Sequence, residues 1–165
     1  MNFSKKARQM AVYFISVLIL TGFDQWTKYI AESRLYGNTP YVLIKEILEL
    51  SYLRNTGAAW GILSGNRILL ILFTFIILFV IGILVHKTPV DKRYTPFRIA
   101  LILISSGAVG NLIDRILNGY VDDFIYFSFI NFPVFNVADI YVTISMVLLC
   151  ILVLFMKKDK DFDFM

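Results

Sequence analysis

Four long apolar runs limit what this chain can become. They are Met10 to Phe23, extendable through Trp26 and Tyr29; Ile68 to Val85, without a single charge; Ile99 to Ile113, rich in small residues; and Ile140 to Met156. Crossing the hydrocarbon of a bilayer takes about 17–25 residues. The second and fourth runs meet that length or nearly so, and the first and third complete a crossing with their polar flanks. With 58% hydrophobic residues, 17% charged residues and a mean hydropathy of +0.72, the 165-residue chain is far too apolar for a water-soluble domain. The expected fold is an all-α membrane protein with four transmembrane helices at roughly 9–30, 67–86, 97–117 and 138–157. These form one integral membrane domain, 1–165, with an outer loop over roughly 31–66.

Lys5, Lys6 and Arg8 ahead of the first run resemble the start of a signal peptide, but no small-x-small cleavage site follows. The segment is read as a retained first helix. Its cations share a membrane side with Lys87, Lys92, Arg93 and Arg98 in the loop after helix two, and with Lys157, Lys158 and Lys160 in the tail. Basic residues concentrate on the cytoplasmic side, so both termini are expected there, in a multi-pass plasma-membrane protein. The net charge of +4 is explained by that sorting and does not call for nucleic acid. The opposite, outer side receives Asp24, Asp114, Asp122, Asp123 and Asp139. It also holds Tyr41 to Ile44 and Leu48 to Leu53, expected to form a small antiparallel sheet after the Gly37-Asn38-Thr39-Pro40 turn. Ala58 to Leu63 is expected to be a short interfacial helix.

The residue types exclude much chemistry. One histidine and one cysteine make no zinc site and no disulfide. His86 lies on the side away from the acids, which leaves no Ser-His or Cys-His pair, and Cys150, in mid-helix, reads as a small packing residue. No glycine-rich phosphate loop is present, and no metal or cofactor is expected. A hydrolase here must work with carboxylates. Asn111 and Asp114, three apart on one helix face with Arg115 beside them, read either as a helix end with a local ion pair or as part of a site at depth. Ser106 and Gly110 suit close helix packing. Asp123 and Asp139 flank the loop between helices three and four and can meet. Two carboxylates at close range cannot both ionise, so one keeps a proton and polarises a carbonyl while the other activates water. Asp139 reads equally well as a first-turn acid favoured by the helix dipole.

Five blocks, in order, resemble the lipoprotein signal peptidase (signal peptidase II) family of bacterial membrane aspartic peptidases. They are Asp24-Gln25-Trp26-Thr27-Lys28, Asn55-Thr56-Gly57-Ala58-Ala59-Trp60-Gly61, Gly107 to Arg115, Val121-Asp122-Asp123-Phe124, and Phe135-Asn136-Val137-Ala138-Asp139. The resemblance implies removal of the signal peptide before a diacylglyceryl-cysteine, with Asp123 and Asp139 as the catalytic dyad at the outer face. It implies supporting or substrate-binding roles for Asp24, Lys28, Asn55, Gly57, Asn111, Asp114, Arg115, Asn136 and Ala138. The expected partners are a diacylglyceryl-modified prolipoprotein, membrane lipids and inhibitors of the globomycin type bound at the dyad, with the chain acting as a monomer. Lys28 is expected to snorkel toward the headgroups and pair with Asp24, and Asp114 to neutralise Arg115. Two positions depart from the family pattern, Ser106 and Asp122. If neighbouring residues point to opposite sides, Asp122 faces solvent; if not, it repels the dyad. The alternative is a small proton-coupled transporter subunit using Asp24, Asp114 and Asp139 as a relay.

Overall fold

A computed structural model describes residues 3–57 and 65–155. Its elements are helix α1 (Phe3–Leu35), strands β1 (Tyr41–Ile44) and β2 (Leu48–Asn55), helix α2 (Arg67–Lys87), a 3-10 turn (Lys92–Tyr94), helix α3 (Thr95–Leu117), strand β3 (Val121–Phe127), a second 3-10 turn (Ser128–Ile130) and helix α4 (Val137–Phe155). All four helices are long and apolar enough to cross a membrane. The expected interfacial helix at Ala58 to Leu63 lies outside the described residues.

α1 has 33 residues. At about 1.5 Å per residue it is longer than a hydrocarbon core about 30 Å thick, so its ends reach past that core. Its last turns, beyond the expected end, carry Glu32, which accepts from Arg54 of β2 at 3.2 Å and ties the helix to the sheet. α3 starts with Pro96 in its first turn, where a missing N–H costs nothing. It stops where Gly119, at φ +87, turns the chain and the N–H groups of Asn118 and Gly119 cap the Asp114 carbonyl.

The helices pack where side chains are small. A Cβ on Gly107 would run into the Ala138 carbonyl and Val142, and one on Gly110 would lie 2.5 Å from the Asp24 carboxylate. These two glycines set the closest approach of α3 to α4 and α1. Ser145 donates to the Ala100 carbonyl at 2.8 Å, and Tyr13 and Ser105 hydrogen-bond at 2.7 Å, so backbone and hydroxyl groups are satisfied inside the bundle. α2 joins differently: Ile81 and Val85 pack on Phe97 and Leu101 of α3, while most of its surface is left for lipid. Cys150 is exposed on α4 and does not pack in the core; it faces the lipid, where small size is not required.

The sheet has three strands in the order β1-β2-β3, all antiparallel. The first two are the expected hairpin. The third was not visible in the sequence, because a strand holding two adjacent acids lacks the usual apolar alternation. It pairs Leu53 with Asp123, Arg54 with Asp122 and Asn55 with Val121. The chain then returns, and Phe135 pairs with Ile125, so the stretch leading into α4 lies alongside β3.

Candidate active site

The site is assembled where β2, β3 and the start of α4 meet the end of α3. Asn55 stands at the end of β2 and Asp123 near the start of β3, and strand pairing brings them together: Asn55 Nδ2 donates to Asp123 Oδ2 at 2.9 Å. The Phe135–Ile125 bridge delivers Asn136 to the other side of the same carboxylate. Asn136 Nδ2 donates to Asp123 Oδ1 at 2.6 Å. Each carboxylate oxygen thus receives an amide N–H without any neutralising charge.

Asn136 also caps α4. Its Oδ1 accepts from the Asp139 N–H at 3.0 Å, and Asp139 Oδ2 accepts from the Asn136 N–H at 3.1 Å. This reciprocal arrangement is a capping box with a short acid at its third position. The two readings of Asp139 are therefore compatible. As a first-turn acid it uses one oxygen on the helix end, and its Oδ1 accepts from Asn111 Nδ2 at 2.9 Å. Asp139 stays half-buried, whereas Asp123 is 1% exposed.

Asn111 is turned by its other partners. Lys28 Nζ at 2.9 Å and Asn136 Nδ2 at 3.2 Å both donate to its carbonyl oxygen, leaving its amide nitrogen to face Asp139. Lys28 in turn sits between two acids, 2.9 Å from Asp24 and 2.7 Å from Asp114. The expected Asp24 pairing is present, but Lys28 does not snorkel: it is 2% exposed, drawn inward by two carboxylates and an amide. Asp114 does not neutralise Arg115. It binds Lys28 and accepts from Gln25 Nε2 at 2.8 Å, since position 114 faces α1 and position 115 is rotated about 100° away. Arg115 instead donates to the carbonyls of Gly57 at 3.1 Å and Asn111 at 3.4 Å, and the Gly57 N–H donates to Asn55 Oδ1 at 2.9 Å. Asp24 is fully buried and its second oxygen accepts from the Ala138 N–H at 2.9 Å, another orphan donor at the start of α4. Gln25, which links Asp114, Asp24 and the Gly110 carbonyl, was missed as a site residue; its place between Asp24 and Lys28 in the first block was the available signal.

Asp122 points away from Asp123, as alternation along a strand requires, but it does not reach solvent. It is 5% exposed and accepts a hydrogen bond from the Tyr52 hydroxyl. Tyr52 of the neighbouring strand β2, 70 residues earlier in the chain, covers it, which no local pattern reveals. Burial raises the Asp122 pKa, and the Tyr52 bond opposes that rise. Tyr52 is itself held well above its usual range by burial and by this acid. Burial, and then the charge of Asp139, push the Asp123 carboxyl up to about 7; the bonds from Asn55 and Asn136 restrain it. The charge of Asp139 is thus close enough for Asp123 to feel it.

Two solved structures of bacterial membrane enzymes share this architecture. One superimposes with a TM-score of 0.80 and 34% identity over 91% of this chain and 92% of its own; the other has a TM-score of 0.76 and 34% identity over 89% and 95%. The molecule is by class a multi-pass membrane enzyme. The family model for signal peptidase (SPase) II matches residues 16–155. A lipoprotein signal peptidase of Enterococcus faecalis is 37% identical over 93% of this chain and 92% of its own length, and one of Staphylococcus aureus is 41% identical over 90% and 96%. The chain belongs to the signal peptidase II family.

Proposed function

We propose that this chain is an aspartic endopeptidase that removes signal peptides from lipid-modified prolipoproteins, cutting before the diacylglyceryl-cysteine. The observation that carries the reading is the unequal environment of Asp123 and Asp139. Asp123 is enclosed and bound by two neutral amides, and burial together with the charge of Asp139 pushes its carboxyl up to about 7, so below that pH it keeps a proton that an ordinary carboxyl would have lost. Asp139 is more open and accepts only N–H donors, which suits the charged form.

In this scheme Asp139 takes a proton from water as the water attacks the scissile carbonyl, and the Asp123 proton polarises that carbonyl. Collapse of the tetrahedral species returns a proton to the leaving amine. Neither side chain can turn away, because Asn55, Asn111 and Asn136 fix both carboxylates. Arg115, which braces the Gly57 carbonyl, holds the chain after β2 against the site. The Lys28–Asp24–Asp114 cluster works at one remove, by holding Asn111 and the start of α4. The chain acts as a monomer, with both termini cytoplasmic and the dyad at the outer face. A globomycin-type inhibitor is expected to occupy the dyad. The proton-relay alternative is disfavoured because Asp24 and Asp114 are both held by Lys28 at the same end of the bundle as Asp123 and Asp139, not spread through the membrane depth.

The test is cleavage of a purified precursor with and without diacylglyceryl on its cysteine, read by mass spectrometry of both products. The expected result is a free signal peptide and a mature chain beginning at the lipidated cysteine. Equal cutting of the unlipidated precursor, or a cut elsewhere, overturns the assignment.

A further inference from the structure

At the end of the bundle opposite the dyad, α1, α3 and the turn after α2 enclose a cavity of about 520 Å³. Four cations stand around it: Lys5 and Arg8 from α1, Lys92 from the turn and Arg98 from α3. Its walls are apolar, with Val12, Ile99 and Ile102 among them. Ile99 and Ile102 also line a second hollow of about 310 Å³, further along the same α1–α3 seam with Ile19, Leu20 and Leu103. The two therefore form one track, charged at its mouth and greasy along its length.

The cations at the mouth are not equivalent. Lys6, nearby but not lining the cavity, donates to the Thr88 carbonyl at 2.8 Å. Arg98 donates to the Pro89 carbonyl at 3.0 Å and to Thr95 at 2.8 Å. Lys5, Arg8 and Lys92 have no side-chain partner among the described residues and are exposed. The one acid at this end among the described residues, Asp91, accepts from the Arg93 N–H at 2.8 Å to cap its turn. Topological sorting accounts for cations at a membrane face. It does not require them to encircle a hollow that continues down a helix seam.

We propose that this track seats one anionic glycerophospholipid, its phosphodiester among Lys5, Arg8, Lys92 and Arg98 and an acyl chain along the α1–α3 seam. Basic pockets between transmembrane helices are the usual seats of anionic headgroups, and a volume of this size suits one ligand. The site is separate from the dyad and does not depend on the reaction assigned to it.

The test is native mass spectrometry of the full detergent-purified chain titrated with phosphatidylglycerol or with phosphatidylcholine of the same acyl chains. The expected result is at least tenfold tighter retention of phosphatidylglycerol. Neutralising Arg8 and Lys92 together (Arg8→Gln/Lys92→Gln) lowers that retention on the order of 20-fold, at about fivefold per cation. The charge-keeping Arg8→Lys/Lys92→Arg pair preserves it, as does Arg34→Gln/Lys45→Gln at the other end. Ile102→Trp, which fills the seam, weakens it with the charges intact. Equal retention of both lipids, or indifference to Arg8→Gln/Lys92→Gln, overturns the site. Indifference to Ile102→Trp, or displacement by glycerol phosphate at matching concentration, leaves a headgroup patch only and overturns the seated lipid. Retention that emerges only after Asp159, Asp161 and Asp163 are changed to Asn assigns the site to the chain's own tail and overturns it as well.

Discussion

α2 and α3 are close in length, at 21 and 23 residues, yet they live in different solvents. α2 is apolar on every side, and among its residues only Leu70, Ile81 and Val85 are buried. α3 buries nine, including Ser105, Ser106, Gly107, Gly110 and Asp114. Lipid tails are as apolar as leucine, so hydrophobicity alone gives α2 no reason to prefer protein over lipid. α3 has such a reason: Ser105 bonds Tyr13 of α1, Asp114 binds Gln25 and Lys28 of α1, and Asn111 donates to Asp139 of α4. In this protein the least apolar of these two spans is the more central, and the chemistry hangs from it.

The contrast can be broken most severely at the residues that α3 supports. Asp123→Asn and Asp139→Asn are each expected to lower precursor cleavage by about 10³-fold or more while leaving the chain inserted, as judged by turnover and circular dichroism. Lys28→Met comes next. It leaves Asp24 and Asp114 facing each other without a cation, and removing one partner of a buried ion pair costs about 3–5 kcal/mol, measurable as thermal unfolding in detergent. A smaller effect sharpens the comparison directly. Gly107→Ala forces a Cβ into the Ala138 carbonyl and is expected to destabilise by about 1–3 kcal/mol. Ile76→Ala, on the lipid face of α2, is expected to change stability by less than about 0.5 kcal/mol. The smallest effect on catalysis is at Asp122. Asp122→Asn is expected to keep activity within a few-fold, because its side chain faces Tyr52 and not the dyad; a dead Asp122→Asn with an active Asp123→Asn exchanges their roles.

The sequence was most informative where the physics is local. Apolar run length marked the four helices, and the i,i+4 spacing marked the Asp24–Lys28 pair. It failed where partners are distant in the chain. Lys28 meets Asp114 across the end of α1, strands β1 and β2, α2 and most of α3, so the expectation that Asp114 would pair with adjacent Arg115 followed the wrong neighbour. Asp122 was expected to reach solvent if it faced away from Asp123, because nothing local announces Tyr52 above it. β3 escaped for the same reason: its two acids are tolerable in a strand only because β2 and α4 bring amides and a phenol to meet them. The resemblance of the five blocks named the residues the structure gathers, but not Gln25, whose contacts all lie on α3 or on its own helix.

In the proposed mechanism the two aspartates share one proton, held on Asp123. Burial and the charge of Asp139 raise the Asp123 carboxyl above its ordinary value, to about 7, so under that mechanism the singly protonated pair it requires is present below that pH and lost as pH rises through it. The direct measurement is kcat/KM for a lipidated precursor between pH 5 and 9, using a substrate with no group titrating in that range. The expected profile levels off just below about 7 and falls tenfold per pH unit above it, with the same midpoint in Asp122→Asn. A rate that stays flat or climbs through pH 9 contradicts it.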